Sequence, residues 1–379
     1  RLACGRALLE AAEAARNAPP PPTPPRPVDL LLDGLVTRFT QGYEASVPSL
    51  QRALVSLRDD DTGTHDDNGR WLWLACHVGT MLWDDESMYV LASRAVRIAR
   101  EAGALATLPA ALNALALVLV ITGELARASE LFAEEDAITR ATGAPPLPNS
   151  RLVLAAWRGR EHGTSELFAT RIAEAKARGE GLTVSSAETS LACLHNGLGN
   201  YGSALAAVTP LSEFDELAHS NIALPELVEA AVRAGQPERA AAALDKLTSR
   251  ANASGTHWAL GVAARSRALT STGPEAEAHY REAIERLGCC RMATHLARAH
   301  LVYGEWLRRE GRRRDAREQL GTAHELLSAM GLEAFAERAA RELRATGERP
   351  RMAGILYLMS ATRYILERTR DSHPLAGEV

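Results

Sequence analysis

The sequence predicts an all-α fold, a tetratricopeptide-like solenoid of helical hairpins wound as a right-handed superhelix. Three observations predict it. The chain is rich in Ala, Leu, Glu and Arg and has only 5% aromatic residues, a composition of strong helix formers with few strand formers. At 379 residues it exceeds the ~250 to 300 at which single cores stop growing, whereas a stacked array grows without that limit. Glycines then punctuate it at Gly123, Gly159, Gly199, Gly235, Gly273 and Gly311, in steps of 36, 40, 36, 38 and 38 residues. That interval is the repeat of a helical-hairpin array.

Taken in order, residues 1–27 comprise a short helix, about Ala3 to Asn17, and the run PPPPTPPRP from Pro19 to Pro27. Consecutive prolines donate no backbone hydrogen bonds and favour extended polyproline geometry, so the run reads as a stiff connector. The repeat array is expected over residues 28–347. Its first hairpin joins Val28–Phe39 to Tyr43–Leu57 around Gly42, and an acidic, polar loop, Asp59 to Gly69, follows. A second pair is Trp71–Trp83 with Ser87–Ala102.

After each punctuating glycine, small and bulky apolar residues recur at helical offsets. They are Ala128 and Phe132, then Phe168, then Tyr201, Ala204 and Val208, then Ala240 and Leu244. Following Gly273 the frame is two residues short, at Ala276, Tyr280 and Ala283, and Thr164 makes the Gly159 repeat the weakest. The last hairpin is the clearest. Gly304 to Gly311 is seven residues, Gly311 to Ala316 five, Ala316 to Leu320 four and Leu320 to Ala323 three. In the tetratricopeptide frame the first small residue lets helix A approach its neighbour, a glycine ends helix A, and another small residue opens helix B.

Leu332–Ala345 is expected to cap the array, with Phe335, Ala339 and Leu343 inward and Glu333, Glu337, Arg338, Arg341 and Arg344 outward. Gly347 and Pro350 then stop it. Each hairpin has two apolar sides that it cannot cover alone, so about eight of them must stack, A helices lining a concave face and B helices outside. That face suits a peptide, a protein domain or a small effector.

The chemistry of the chain is sparse. The 43 basic and 47 acidic residues give no global attraction to nucleic acid or anionic membrane. Five scattered cysteines, Cys4, Cys76, Cys193, Cys289 and Cys290, suit reduced thiols in a cytoplasm. The start at Arg1 shows no charged-then-apolar leader. No run approaches the ~18 apolar residues of a membrane span. Met352–Leu366 is too short and contains Arg363.

No GxxxxGK[ST] loop, GxSxG elbow, HExxH or CxxC occurs, so no catalytic residue, cofactor or metal ligand is assigned. Cys289, Cys290, His295 and His300 lie close together in sequence, but the two histidines are five apart and point to different helix faces. The tryptophans read first as core and groove lining rather than a ligand cage, since helix-spaced aromatics usually pack; Trp157, Trp258 and Trp306, which fall on A helices, are the candidate groove or effector contacts. The basic knot Arg308, Arg309, Arg312, Arg313 and Arg314, with Arg317, is a candidate contact for an acidic partner. In its plainer reading it is a solvated turn paired with Glu305, Glu310 and Glu318.

ARAHLVYGEWLRREGRRRDAREQL and AMGLEAFAERAARELRATGE, with RPVDLLLDGLVTRFTQGYEAS near the front, resemble the helical-repeat region of the large LuxR-type transcriptional regulators of actinobacteria. The resemblance covers roughly Leu2 to Glu348. It implies a signal-sensing region of a protein that also carries an ATPase and a DNA-binding helix-turn-helix. The phosphate loop of that ATPase is missing here, so ATP binding is not carried over. The 32 residues after Gly347, MAGILYLMSATRYILERTRDSHPLAGEV among them, show no helix-turn-helix pattern, and residues 348–379 read as a divergent tail. DNA contact is expected only through a helix-turn-helix not found in this chain, and self-association through the relatives' mode of action. The alternative is a stand-alone tetratricopeptide adaptor holding a peptide or protein in its groove.

Overall fold

Helix-forming stretches closed by glycine fold here as helices, and the glycines set where many of them stop. The computed structural model describes residues 6–19, 21–59, 68–143, 147, 149–159, 164–212 and 216–347. Among the described residues there are eighteen α-helices and no strand. The first, α1 (Arg6–Arg16), packs on α2 (Pro27–Gln41), which pairs with α3 (Tyr43–Asp59). Then follow α4 (Asn68–Met81) with α5 (Asp85–Glu101), α6 (Leu108–Thr122) with α7 (Leu125–Thr142), and α8 (Asn149–Arg158) with α9 (Thr164–Arg178), which leans mainly on α10 (Gly181–Leu198). Next come α10 with α11 (Tyr201–Ser212), α12 (His219–Arg233) with α13 (Pro237–Ser254), α14 (His257–Thr270) with α15 (Gly273–Leu287), and α16 (Ala293–Arg309) with α17 (Arg313–Met330). The last, α18 (Glu333–Ala345), packs on α17.

Helix starts carry recognisable signals. Pro27 opens α2, where its missing N–H costs nothing, and the Asp29 carboxylate accepts the Arg26 N–H at 2.9 Å. Asp84 caps α5 by accepting from the Ser87 N–H at 2.9 Å, and Thr256 caps α14 by accepting from the Ala259 N–H. The expected first hairpin matches α2 and α3 to within two residues.

Two turns depart from the expected pattern. Gly273 does not end a helix; α14 stops at Thr270 and Gly273 is the first residue of α15, which is why the frame runs two residues short there. Between α4 and α5 the left-handed position that Gly123 fills after α6 is held by Trp83, at φ 53. A side chain there is strained, and burial of the indole, 1% exposed, offsets the strain.

The odd-numbered helices from α3 to α17 bury a face and expose the other, as α13 does with Ala240, Ala243, Leu247 and Ala251 inward. Helices α10, α12, α14 and α16 are buried nearly all round, the mark of elements covered on both sides. What covers their inner side is the rest of the chain. Helix α12 lies against α4, α13 against α3, α16 against α6, and α18 against both α8 and α10.

Helix α13 meets the first half of α3, where Ser249 Oγ donates to Glu44 at 2.8 Å; the other long-range contacts fall on the C-terminal ends of earlier helices, where backbone carbonyls lack intrahelical partners. Asn221 Nδ2 donates to the Met81 carbonyl at 2.7 Å, Ser254 Oγ to Leu82 and Thr294 Oγ1 to Ile121. Arg338 Nη1 donates to the Asn196 carbonyl at 2.9 Å. The second half of the chain thus caps helices of the first.

Close approach at those ends requires glycine. A Cβ on Gly159, at φ 72, would stand 2.2 Å from the Ala334 Cβ and 2.7 Å from its backbone nitrogen. Within the last hairpin, a Cβ on Gly304 would lie 2.6 Å from Leu320 Cγ, so the small residue of that frame does let the two helices close.

The expected cap is corrected. Helix α18 presents Phe335, Ala339 and Leu343 inward, but Arg338 is buried too, and the helix is held against α8 and α10. The tail after Gly347 and most of the acidic loop, residues 60–67, lie outside the described residues. No described helix is long and apolar enough to cross a membrane.

Candidate functional site

The inward faces of α8, α10, α12, α14, α16 and α18 meet in a charged and aromatic interior. On α12, Glu226, Glu229 and Arg233 recur at i, i+3 and i+7, the spacing that puts three side chains on one helical face. Helix α16 supplies His295, Arg298 and Glu305, α14 supplies Trp258 and Arg265, and α18 supplies Phe335 and Arg338. Trp157 comes from α8, and Cys193 and Asn196 from α10.

Arg298 donates from Nη1 to Glu226 Oε1 at 2.5 Å and from Nη2 to Glu226 Oε2 at 3.0 Å and Glu229 Oε2 at 2.8 Å. Arg338 grips Glu305 along one guanidinium edge, Nε to Oε1 at 2.6 Å and Nη2 to Oε2 at 2.9 Å, and its Nη1 reaches Glu229 at 2.8 Å. Arg233 Nη2 pairs with Glu305 Oε2, the oxygen that also accepts from Arg338 Nη2. Asn196 Nδ2 donates to Glu226 Oε2 at 2.9 Å.

Aromatic rings enclose these charges. Trp157 lies 5.5 Å from Phe335 and 5.7 Å from His295 between ring centroids, and Trp258 lies 5.8 Å from His295. The Arg298 guanidinium sits 4.7 Å from the centre of the Phe335 ring, a cation–π distance.

Burial alone would raise the Glu229 carboxyl, but Arg338, Arg298, Arg265 and Arg233 outweigh it and hold it far below the usual carboxylate range. Glu305 is likewise lowered against its burial by Arg338 and Arg233. Burial, reinforced by Arg265 and Arg298, pushes His295 well below its ordinary value and keeps it neutral. Carboxylates so firmly ionised are poor proton donors; the cluster is suited to holding helices in register.

The candidate tryptophans are placed as follows. Trp157, Trp258 and Trp306 are 5%, 1% and 8% exposed; the first two belong to the interior just described. Trp306 stacks on Tyr303, which stacks on Tyr280. None of the three lines an open surface. His295 and His300 separate, His300 Nδ1 lying 2.8 Å from Gln319 Oε1.

Within the basic knot, the ion pairs of Arg308 and Arg312 differ from those expected. Arg308 bonds Glu342 at 2.5 Å, and Arg312 bonds Glu277 at 2.7 Å and Asp315 at 2.6 Å. Arg309, Arg313 and Arg314 are exposed. Glu305, expected among their partners, turns inward to Arg338 and Arg233. Arg312 also borders a groove of about 500 Å³ between α15, α16 and α17, where Arg281, Ile284, Tyr303 and Leu307 line it.

Glu226, Glu229, Arg265, Arg298 and Arg338 were not singled out from the sequence as a site. The signal that could find them is the charged face of PELVEAAVR in α12 beside that of HLARAHLVYGEW in α16, each within an otherwise apolar helix. No protein-family model matches the chain, and no curated protein matches it.

Proposed function

We propose that the chain is the signal-receiving, helical-repeat region of a LuxR-type transcriptional regulator, a non-enzymatic cytoplasmic scaffold. In this reading its helix pairs stack as a tetratricopeptide-like right-handed superhelix. The offsets from Gly304 to Ala323 and the resemblance of Ala297–Gly347 support the repeat assignment. The observation that carries the function is the buried ion cluster, which ties α12 and α16 to α18 and, through Asn196, to α10. A scaffold whose distant segments are held by discrete, exchangeable pairs can have two arrangements, which a sensor requires.

An effector on the inner face would have to enter a filled interior, so its binding would be coupled to loosening of this cluster. A stand-alone adaptor gripping a peptide in a concave groove needs an open inner surface, and the inner faces of α8, α14, α16 and α18 are covered. DNA contact and ATP use would lie outside the helical array.

The test is chromatin immunoprecipitation of the full-length gene product, tagged at its own locus, with transcript profiling of its deletion. The regulator reading expects enrichment at a small set of promoters whose transcripts change in the deletion. A co-purified protein partner without promoter enrichment would replace it with the adaptor reading.

A further inference from the structure

Among the described residues, the charged cluster on α12, α14, α16 and α18 holds more positive charge than it neutralises, and the surplus has an address. Arg233, Arg265, Arg298 and Arg338 face Glu226, Glu229 and Glu305, four cations against three anions. All three glutamates are taken by Arg298, Arg338 and Arg233. Arg265 on α14 bonds none of them. Among the described residues its one polar contact is Nη1 at 3.4 Å from Nδ1 of the neutral His295, and its Nε and Nη2 have no partner although the side chain is 0% exposed.

The two unpartnered nitrogens are the two donors along one edge of the guanidinium. This is the edge by which Arg338, in the same interior, holds both oxygens of Glu305. The spacing of those donors matches the two oxygens of a carboxylate or phosphate, so a single oxyanion could accept from both. A water molecule can accept a hydrogen bond there but brings no charge, and a buried cation with no carboxylate in contact is costly even when anions lie nearby. Burial, followed by the nearby Arg298, already pulls Arg265 down to about 10, with Glu229 and Glu226 offsetting only part of the effect. His295, beside Arg265, is flanked by the Trp157 and Trp258 rings, so a ligand with a flat apolar body would find aromatic surface next to the charge.

We propose that Arg265 is the anchor of an internal binding site for a small oxyanion, a carboxylate or phosphate group gripped side-on by Nε and Nη2. The assignment is independent of the regulatory reading, since it follows from charge and donor geometry alone. Because Arg265 is fully buried, access requires transient opening of the interior, and association should be slower than typical docking.

The test titrates the full chain with sodium benzoate and, separately, inorganic phosphate, at ionic strength held constant with sodium chloride. Tryptophan fluorescence and the thermal midpoint are read together. A saturable fluorescence change with a raised midpoint is expected for at least one of the two, and the probe that saturates at the lower concentration identifies the preferred oxyanion. Arg265→Lys keeps the charge but not the fork and should weaken binding at least tenfold. Arg265→Met should abolish binding while raising the ligand-free midpoint, because it removes an uncompensated charge. No saturable change with either probe, or the same affinity in Arg265→Lys, would overturn the proposal, as would a ligand-free Arg265→Met that folds but melts lower than the parent chain.

Discussion

Replacing Arg338 by methionine tests whether α18 is a surface cap or a structural clasp. The guanidinium makes two bonds to Glu305, one to Glu229 and one to the Asn196 carbonyl at the C-terminal end of α10. Methionine fills similar volume and removes all four. Glu305 then keeps Arg233 and Glu229 keeps Arg298, but each buried carboxylate loses a partner. Breaking a buried ion pair from one side costs about 3–5 kcal/mol, whereas an exposed arginine on a capping helix would cost about 0–1 kcal/mol. The two cases are therefore well separated.

The assay is equilibrium urea unfolding followed by circular dichroism, read at the first transition, with amide hydrogen exchange reporting on α18. A first-transition loss of about 3–5 kcal/mol with deprotection of α18 is expected. Arg338→Lys should recover little of it, since an ammonium cannot reproduce the fork on Glu305. A loss under about 1 kcal/mol with α18 protection unchanged would refute the reasoning and return α18 to the role of a solvated cap.

Three further expectations are checked by the same unfolding measurements. Gly235→Ala, at φ 70 with nothing within 4 Å of the new Cβ, should cost only the left-handed penalty of about 1–2 kcal/mol. Gly159→Ala should cost about 1–3 kcal/mol more, because its Cβ meets the Ala334 backbone; equal costs would mean that α18 does not pack on the end of α8. Stability should fall as pH drops below about 6.5, because burial lowers His77, His295 and His300 from that value. A group depressed in the folded state contributes stability that is present above its unfolded value and lost below it. A second loss should begin near 4.5, where Glu305, Glu229 and Glu216 start to be protonated in the unfolded chain; Glu216, with burial opposed by His219, is held down to about 2. A flat profile from pH 7 to 5.5 would contradict the burial of the histidines. Finally, Arg312→Ala should leave the unfolding midpoint unchanged despite its two ion pairs, because the side chain is 38% exposed and solvent screens both pairs.

Much of the helix plan was legible because it is local. Glycines at Gly123, Gly199, Gly235 and Gly311 end helices in the left-handed conformation, and the hairpin Gly304–Ala323 needs only residues close in sequence to declare itself. A second series, Gly143, Gly179, Gly255 and Gly331, closes the outer helices in the same conformation and carried an equally plain signal that the inner series overshadowed. Trp83 was illegible as a turn because burial overrode the conformational preference that a sequence reading relies on. The interior was illegible for a different reason. Arg338 and Glu305 are 33 residues apart, and Arg338 and Asn196 are 142 apart. A polar stripe on α18 has the same periodicity whether it meets water or carboxylates. Only the sign pairing between helices distinguishes those cases, and a helix taken alone does not reveal it.

What the interior adds is specificity rather than adhesion. Alanine and leucine faces, such as those joining α16 to α17, tolerate small sliding because dispersion and hydrophobic contact are non-directional. Arg298 straddling Glu226 and Glu229, and Arg338 straddling Glu229 and Glu305, tolerate far less, since a shift of one helical turn leaves charges buried without partners. Glu229 is shared by both arginines, so α16 and α18 are positioned on α12 by one side chain, and moving either helix changes the charge felt by the other. Any ligand that biases these helices must bind one arrangement of this cluster better than another, and can shift the balance by no more than that difference. Arg265, adjacent to the shared glutamate and without a carboxylate of its own, is the position where one added negative charge would alter the balance most.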